Sequence, residues 1–285
     1  INQIRKAIKL TGETWHHLIP MIKQGVYEYE IAAEISYLFE RKGAIHAFQP
    51  IVASGKSACT LHYKQNANLI LKDDLVLVDF GAEINGYAAD MTRCKAADGV
   101  MSKRQFAVYD QVLSIFAEAK KIIKPGITIQ EINDNLFEVI WQSIVQLGLF
   151  TNVNDKKNSV RKYMPHGISH FLGMDVHDYG DKHTILVPGM VITCEPGIYI
   201  QEEGIGIRLE NELVCKKGEK NEYGQFMHFE TVTLAPLDLD AIVPEEMTKS
   251  EKAILNGYHK RVYDTIGPLL TNEEQDWLKV YTREI

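Results

Sequence analysis

The stretch from residue 75 to residue 93 predicts a β-hairpin with an acid on each strand, and it constrains the fold more than any other part of the chain. An aliphatic run ends at Asp79, and the return strand carries Asp90. The Asn85-Gly86 dipeptide between them is typical of a two-residue turn, because such a turn needs a positive φ at both central residues. The sequence therefore predicts two antiparallel strands that bring two acids into one hairpin.

The expected register places these acids on one face of the hairpin. If Ile84 pairs with Tyr87, then Asp79 lies opposite Thr92, and Asp90 becomes a diagonal neighbour at about 7–8 Å between Cβ atoms. Two carboxylates at that spacing can reach around two metal ions about 3.5–4 Å apart. The alternative is a pair of solvated acids on an exposed face. Because Asp79 ends an apolar strand, where an unpaired charge is expensive to bury, the metal-binding interpretation is favoured.

A second copy of this pattern follows later in the chain. Segment 126–132 repeats the glycine, aliphatic and glutamate positions of segment 25–31 at an offset of 101 residues, and each segment opens a predicted helix. Segment 191–195 is a predicted strand that ends at Glu195, and its return strand carries Glu210. Matches in both helices and acids indicate a duplicated α/β unit. A site between the two halves would be lined by all four acids.

Helical spacing and capping boxes predict most of the remaining elements. Apolar spacing predicts one helix that breaks near Pro20 and a second from about Glu28 to Lys42. Extended segments are expected at 48–53 and 59–63. Four capping boxes predict further helix starts: Ser102 with Gln105, Thr128 with Glu131, Thr248 with Glu251, and Thr271 with Glu274. The last two boxes open short helices around residues 253–266 and 274–281.

Composition and charge exclude several classes of protein. The net charge of −7 leaves no basic surface for nucleic acid. No stretch of about 18 apolar residues occurs, so no membrane span is expected. No signal peptide is evident, and the four cysteines lack metal or disulfide spacing, which favours a reducing, cytoplasmic setting. The chain begins at Ile1 without an initiator Met, and we expect N-terminal material to be missing.

Three histidines form a second candidate cluster. His166 and His170 are four residues apart, and His177 follows seven residues later. Residues four apart lie on the same side of either a strand or a helix, and the glycine and β-branched neighbours favour a strand. One such histidine alone is more often a hydrogen-bonded core or surface residue. Beside four strand-borne acids, a neutral imidazole suits manganese, zinc, cobalt or iron, and the carboxylates favour the harder ions.

Together these motifs resemble the pita-bread metallopeptidases, the family of methionine aminopeptidase, Xaa-Pro aminopeptidase, prolidase and the metal-free creatinases. The resemblance implies an α+β fold with two pseudo-symmetric α/β halves around a curved, mainly antiparallel sheet. It implies two divalent metal ions, with manganese expected and zinc or cobalt as alternatives. The implied metal ligands are Asp79, Asp90, His170, Glu195 and Glu210. Asp90 and Glu210 would bridge the two ions.

The resemblance also implies roles for residues around the metals. Glu195 would accept a proton from the attacking water as well as bind one ion. His62 and His177 would donate hydrogen bonds to the substrate, and His166 would shuttle a proton or border a proline pocket. Arg208, two residues before Glu210, matches an arginine found near the site in Xaa-Pro aminopeptidases. The alternative role for these histidines is to orient the ligands.

The surrounding motifs resemble the proline-specific branch of the family. The histidine cluster, the Glu195-Pro196-Gly197 segment and the stretch 229–236 carry this likeness. It implies a catalytic domain over residues 1–236, a C-terminal helical extension over 237–285, and one or two N-terminal domains ahead of this chain in the full-length protein. It also implies proline-containing peptides as substrates and a homodimer as the assembly.

Four interpretations of this set are distinguished by function. The expected one is a Xaa-Pro aminopeptidase, which cleaves the bond between an N-terminal residue and proline. A prolidase, which cleaves only Xaa-Pro dipeptides, shares almost every motif. A non-catalytic binding module of the same fold, or a metal-free creatinase-type hydrolase, is disfavoured because all five metal-ligand positions keep the expected residue types.

Overall fold

The computed structural model describes residues 1–150 and 155–285 and has a mixed α/β architecture. The helices are α1 (Asn2–Leu18), α2 (Glu28–Arg41), α3 (Lys103–Ile122), α4 (Ile129–Gln146), α5 (Lys156–Tyr163), α6 (Lys249–Ile266) and α7 (Asn272–Tyr281). The strands are β1 (Ile45–His46), β2 (Ile51–Ser54), β3 (Leu75–Phe80), β4 (Ala82–Ile84), β5 (Tyr87–Ala88), β6 (Met91–Ala96), β7 (Val191–Cys194), β8 (Gly197–Ile200), β9 (Ile205–Arg208), β10 (Asn211–Asn221) and β11 (Gly224–Thr231). In the part of the chain that these ranges cover, no helix combines the length and apolar character needed to cross a membrane.

The predicted first hairpin forms with the predicted register. Asn85 and Gly86 have φ values of +53° and +75°, so both central residues of the turn take the conformation that this dipeptide favours. Ile84 pairs with Tyr87, and the same register continues along β3 and β6, where Asp79 is opposite Thr92. The local turn chemistry therefore determines which face carries the first two acids.

The second half contains a comparable long hairpin, in which the strand pairing is interrupted at the two acids. β7 pairs with the start of β10, and β8 pairs with β9. Continuing the register through the break places Glu195 opposite Glu210. Pro196, which has no backbone N–H to donate to a strand, lies in the break, and its carbonyl oxygen accepts the Leu209 N–H at 3.2 Å.

The sheet of β2, β3 and β6 has a helix layer on one face and the second half of the chain on the other. Alternate residues of β3 divide between two cores, because strand side chains alternate in direction. Val76, Val78 and Phe80 pack with α1 and α2, whereas Leu75 and Leu77 join α3, α4 and the second-half strands. Asp79 shares the face of Leu75 and Leu77, so its carboxylate points towards the second half.

The helix predictions are confirmed at most positions. α2 and α4 begin 101 residues apart, and α1 ends just before Pro20, where a short 3₁₀ turn follows. Capping boxes at Ser102, Thr128 and Thr271 are all formed. The fourth box depends on the Glu251 side chain, which lies outside the described residues. α6 and α7 cover the two helices expected near the C-terminus.

The predicted extended segment at 59–63 is wrong. Residues 55–59 form a short 3₁₀ helix, and a turn follows in which Thr60 donates its N–H to Ser57 and Tyr63 donates to Thr60. The segment predicted at 48–53 is a strand only from Ile51. The buried Glu28 carboxylate accepts hydrogen bonds from Ser54, Tyr63 and Asn68, so long-range contacts rather than strand pairing determine the path of this segment.

Gly81 is the residue between β3 and β4, beside the acid face, and substitution there is expected to destabilise the protein. An added Cβ would overlap the carbonyl oxygen of Ala89, immediately before Asp90. We expect Gly81→Ala to lower the free energy of unfolding by about 1–3 kcal/mol, because an overpacked backbone must move. Gly257, which is exposed in α6 and has open space where a Cβ would be added, is the control.

Urea denaturation of both variants tests this prediction. Gly257→Ala should raise the unfolding midpoint, because alanine is favoured over glycine in a helix by about 1 kcal/mol. Equal midpoints for Gly81→Ala and the wild-type protein would show that the backbone at Gly81 and Ala89 tolerates an added methyl group, and that their close approach is not needed for stability.

Candidate metal centre

All nine residues proposed from the sequence line one cavity of about 470 Å³. They are His62, Asp79, Asp90, His166, His170, His177, Glu195, Arg208 and Glu210. Asp79 and Asp90 come from the first hairpin, Glu195 and Glu210 from the break in the second, and His62 from the turn after the 3₁₀ helix. The remaining walls include Phe48, Ile51, Leu61 and Val176. The two halves of the chain therefore converge on this cavity.

The centre of the cavity holds a group suited to a metal ion. One ligand atom each from Asp90, His170 and Glu210 lies within 4.8 Å of the others. His170 Nε2 is 3.4 Å from Asp90 Oδ2 and 3.5 Å from Glu195 Oε1. The His170 Nδ1–H donates to the Phe171 carbonyl oxygen at 3.0 Å. That hydrogen bond directs Nε2 towards the acids, as in histidines that bind metals.

Two carboxylate oxygens in this group are available to bind a metal ion. Asp79 Oδ1 and Glu210 Oε1 are buried and have no hydrogen-bond partner among the described residues. Burial and neighbouring acids raise the pKa of Asp90 and Glu195 well above the usual range, and burial raises the pKa of Glu210 to about 6. Divalent cations would neutralise this excess of negative charge, so the donor set fits a metal site.

Arg208 holds Asp79 in place on the cavity wall. Its Nη2 contacts Asp79 Oδ2 in a buried ion pair, which leaves Asp79 Oδ1 available. The Nε–H donates to Thr92 Oγ1 at 2.9 Å, and Nη1 donates to the Tyr199 hydroxyl at 2.8 Å. Arg208 thereby links the first hairpin to β8 through a single side chain.

His166 belongs to the same hydrogen-bonded chain. Its Nδ1–H donates to the Gly167 carbonyl oxygen at 2.8 Å, so Nε2 accepts from the Tyr199 hydroxyl at 2.8 Å. Burial, followed by the charge of Arg208, lowers the pKa of His166 to about 4. The imidazole is therefore neutral near pH 7, with Nδ1 3.9 Å from Glu195 Oε2.

His177 and His62 complete the histidine lining of the cavity. The His177 ring packs edge-on against His170 with 4.3 Å between ring centroids. Burial, followed by the charges of His170 and His62, lowers the pKa of His177. A neutral imidazole at this position can donate one hydrogen bond to a bound substrate.

Several residues that support the acids were not predicted from the sequence. Glu212 Oε1 accepts the Asp90 N–H at 2.6 Å, and its Oε2 accepts from Thr233 Oγ1 at 2.7 Å. Burial raises the pKa of Glu212 to about 8. Thr92 Oγ1 donates to Glu210 Oε2 at 2.7 Å. The alternation of Glu210 and Glu212 along one chain was the available signal, since alternate strand residues share a face.

A duplicated α+β architecture with acids and histidines gathered between its halves defines the class of pita-bread metalloproteins, as predicted. Comparison with known proteins identifies the family. The model of metallopeptidase family M24 matches residues 2–217, and that of the C-terminal region of this peptidase family matches residues 225–285. The chain belongs to metallopeptidase family M24.

Relatives of known name are similar over most of this chain. Xaa-Pro aminopeptidase of Escherichia coli (strain K12) is 36% identical over 235 residues, which cover 76% of this chain and 53% of that protein. Xaa-Pro aminopeptidase 3 of Homo sapiens is 34% identical over 266 residues, covering 88% of this chain and 49% of that protein. The chain thus spans about half the length of the curated relatives it matches.

Solved structures show the same fold. A putative aminopeptidase P from Bacillus anthracis aligns with a TM-score of 0.75 at 31% identity, covering 100% of this chain and 58% of that chain. Proline aminopeptidase P II from Yersinia pestis aligns with a TM-score of 0.73 at 34% identity, covering 82% of this chain and 55% of that chain. These likenesses confirm the predicted pita-bread fold.

Proposed function

We propose that this chain is the catalytic domain of a metallo-aminopeptidase that hydrolyses the bond between an N-terminal residue and a following proline. The observation that carries the proposal is the convergence of four acids and His170 on one cavity, with buried carboxylate oxygens left open for ligands. Relatives named Xaa-Pro aminopeptidase support the choice of bond. Membership of a metallopeptidase family supports metal dependence.

The five proposed ligands would hold two divalent ions, with manganese as the expected metal. Asp79, His170 and Glu195 would each supply a ligand to one ion, and Asp90 and Glu210 would be the ligands that both ions share. When bound, such ions polarise the scissile carbonyl and lower the pKa of a water molecule, which favours attack at neutral pH. Four of the five proposed ligands are carboxylates and one is an imidazole, and such a set favours manganese over softer metals.

The protein's own side chains are proposed to move a proton and bind the substrate. Glu195, whose carboxylate lies 3.5 Å from His170 Nε2 and 3.9 Å from His166 Nδ1, accepts a proton from the attacking water. His62 and His177 donate hydrogen bonds to the substrate carbonyl as negative charge develops on its oxygen, a contribution of about 2.7–4 kcal/mol per donor in comparable sites. His166, kept neutral and hydrogen-bonded to the buried Tyr199 hydroxyl, borders the proline position.

The cavity walls suit a proline ring. Phe48, Ile51, Leu61 and Val176 provide apolar surface beside the acids. A proline nitrogen has no N–H, so an enzyme that recognises this residue depends on the shape and apolar contacts of its pocket rather than on that hydrogen bond. We propose that these side chains contact the pyrrolidine ring.

A homodimer and a cytoplasmic location complete the proposal. All four cysteines are free thiols, and Cys94, Cys194 and Cys215 are buried. Free cysteine thiols are typical of proteins in a reducing compartment. Sedimentation of the purified chain measures its assembly directly.

A peptide panel tests the proposed function. The manganese-loaded protein should release the N-terminal residue from an Xaa-Pro-Xaa tripeptide and leave an Xaa-Ala-Xaa tripeptide intact. Exhaustive chelation should abolish hydrolysis, and manganese or cobalt should restore it. Cleavage of Xaa-Pro dipeptides alone would make the chain a prolidase. Hydrolysis that survives chelation, or no cleavage by protein that carries two ions, would contradict the proposal.

A further inference from the structure

Arg93 is a buried arginine next to the candidate metal centre that the proposed mechanism does not use. It lies on β6, one residue after Thr92, and only 1% of its surface is exposed. Burying a guanidinium is expensive unless its donors are satisfied. Its contacts therefore show what this charge stabilises.

All five N–H groups of Arg93 have oxygen acceptors. Nη1 donates to the carbonyl oxygens of Thr92 at 2.9 Å and Glu210 at 2.6 Å. Nη2 donates to Asn211 Oδ1 at 2.7 Å and to the Ala235 carbonyl oxygen at 2.9 Å. Nε donates to the Pro236 carbonyl oxygen at 3.0 Å. None of these acceptors is a carboxylate, and four of the five are main-chain carbonyls, so the side chain binds main chain rather than forming an ion pair.

These contacts converge on Glu210, where the second hairpin is broken. Thr92 accepts the Glu210 N–H through its carbonyl oxygen at 3.2 Å and donates its Oγ1–H to Glu210 Oε2 at 2.7 Å. Arg93 binds the Glu210 carbonyl oxygen. Two consecutive residues of the first half therefore hold the N–H, the carbonyl and the carboxylate of one acid in the second half.

The same guanidinium binds the segment that leads into the C-terminal helices. Ala235 and Pro236 follow β11, and the Tyr258 hydroxyl of α6 also donates to the Ala235 carbonyl oxygen at 2.7 Å. The C-terminal region thus contacts the back of the acid cluster through Arg93.

We propose that Arg93 is a positioning residue of the metal centre, which anchors the main chain of Glu210 and ties it to the C-terminal segment at Ala235–Pro236. The proposal rests on the metal centre proposed above. Five donors in a rigid, planar fork reach three separate segments of chain, which the single ammonium of lysine cannot do. Correct placement of Glu210 then depends on both halves and on the C-terminal region.

Titration of manganese into Arg93→Lys tests this role. The variant keeps the charge but loses most of the contacts, and we expect its Kd for manganese to rise about 10–100-fold, as for other residues that orient metal ligands. Calorimetry separates this from simple instability, because an unfolded fraction lowers the number of sites, whereas a displaced ligand raises the Kd. Arg104→Lys, which alters a surface arginine paired with Glu203, is the matched control and should bind manganese as the wild type does.

The outcomes distinguish this role from the metal centre itself. A folded Arg93→Lys variant with wild-type manganese affinity would overturn the positioning role and leave the metal centre intact. If Arg93→Lys does not fold, Asn211→Ala removes one acceptor from the guanidinium and should raise the Kd by a smaller factor; an unchanged Kd would overturn the proposal. A wild-type protein that binds no manganese would refute the metal centre and the role of Arg93 with it.

Discussion

Glu210→Ala is expected to abolish binding of both divalent ions and to reduce peptide hydrolysis to the level of the metal-free protein. Glu210 is the proposed bridging acid with one carboxylate oxygen bound by Thr92 and the other open. Removing it takes a ligand from each ion and leaves the remaining acids to repel one another. A metal ion acting as Lewis acid contributes several kcal/mol, so we expect kcat/KM to fall by at least about 10³-fold, since each 1.36 kcal/mol corresponds to a factor of ten.

Metal analysis of the dialysed variant, together with its activity, measures this effect. Glu219→Ala, which changes an exposed glutamate on β10, is the matched control and should retain two ions and full activity. Asp90→Ala should behave like Glu210→Ala, because Asp90 is the other proposed bridge. Near-stoichiometric retention of two ions in either variant would contradict the assignment of bridging ligands.

Glu195→Gln is expected to lower kcat by about 10²–10⁴-fold, the usual contribution of a general base, while the variant still binds metal. Glutamine keeps the size of the side chain and one oxygen ligand, but it cannot accept a proton. Two imidazoles lie beside the Glu195 carboxylate. His170 Nε2 is 3.5 Å from its Oε1, and His166 Nδ1 is 3.9 Å from its Oε2. Substrate binding depends on other residues, so KM should change little.

Steady-state kinetics on an Xaa-Pro-Xaa peptide, with metal content measured on the same samples, tests this expectation. Glu202→Gln is the matched control, since Glu202 lies exposed between β8 and β9 and pairs with Lys162. A Glu195→Gln enzyme with wild-type kcat would rule out Glu195 as the proton acceptor. A variant that loses its metal would instead show that Glu195 acts chiefly as a ligand.

Local chemistry explains why the first two acids were predictable. The Asn85-Gly86 turn needs no distant contact, because its positive φ values follow from these two residues, and the register of β3 and β6 follows from the turn. Capping boxes are equally local, and the three that lie on described side chains form as predicted. The repeat of these patterns in the second half predicted the second pair of acids.

Where prediction failed, the determining contacts are distant in sequence. Residues 59–63 form a turn because the Glu28 carboxylate collects donors from Ser54, Tyr63 and Asn68. No local sequence pattern identified Tyr199, Glu212 or Arg93 as part of the site. Their importance comes from partners such as Arg208, Asp90 and Glu210, which folding brings within 3 Å.

The sequence by itself determined the two hairpins, most of the helices and which acids and histidines to consider, since turn preference, hydrophobic periodicity and motif spacing act over a few residues. Only the tertiary structure decided how those side chains meet: which carboxylate oxygens stay open, which histidine nitrogen faces the acids, and which buried arginine anchors Glu210. The physical reason is that hydrogen bonds and burial at this site join residues more than 100 positions apart, and such contacts exist only once the two halves have packed together.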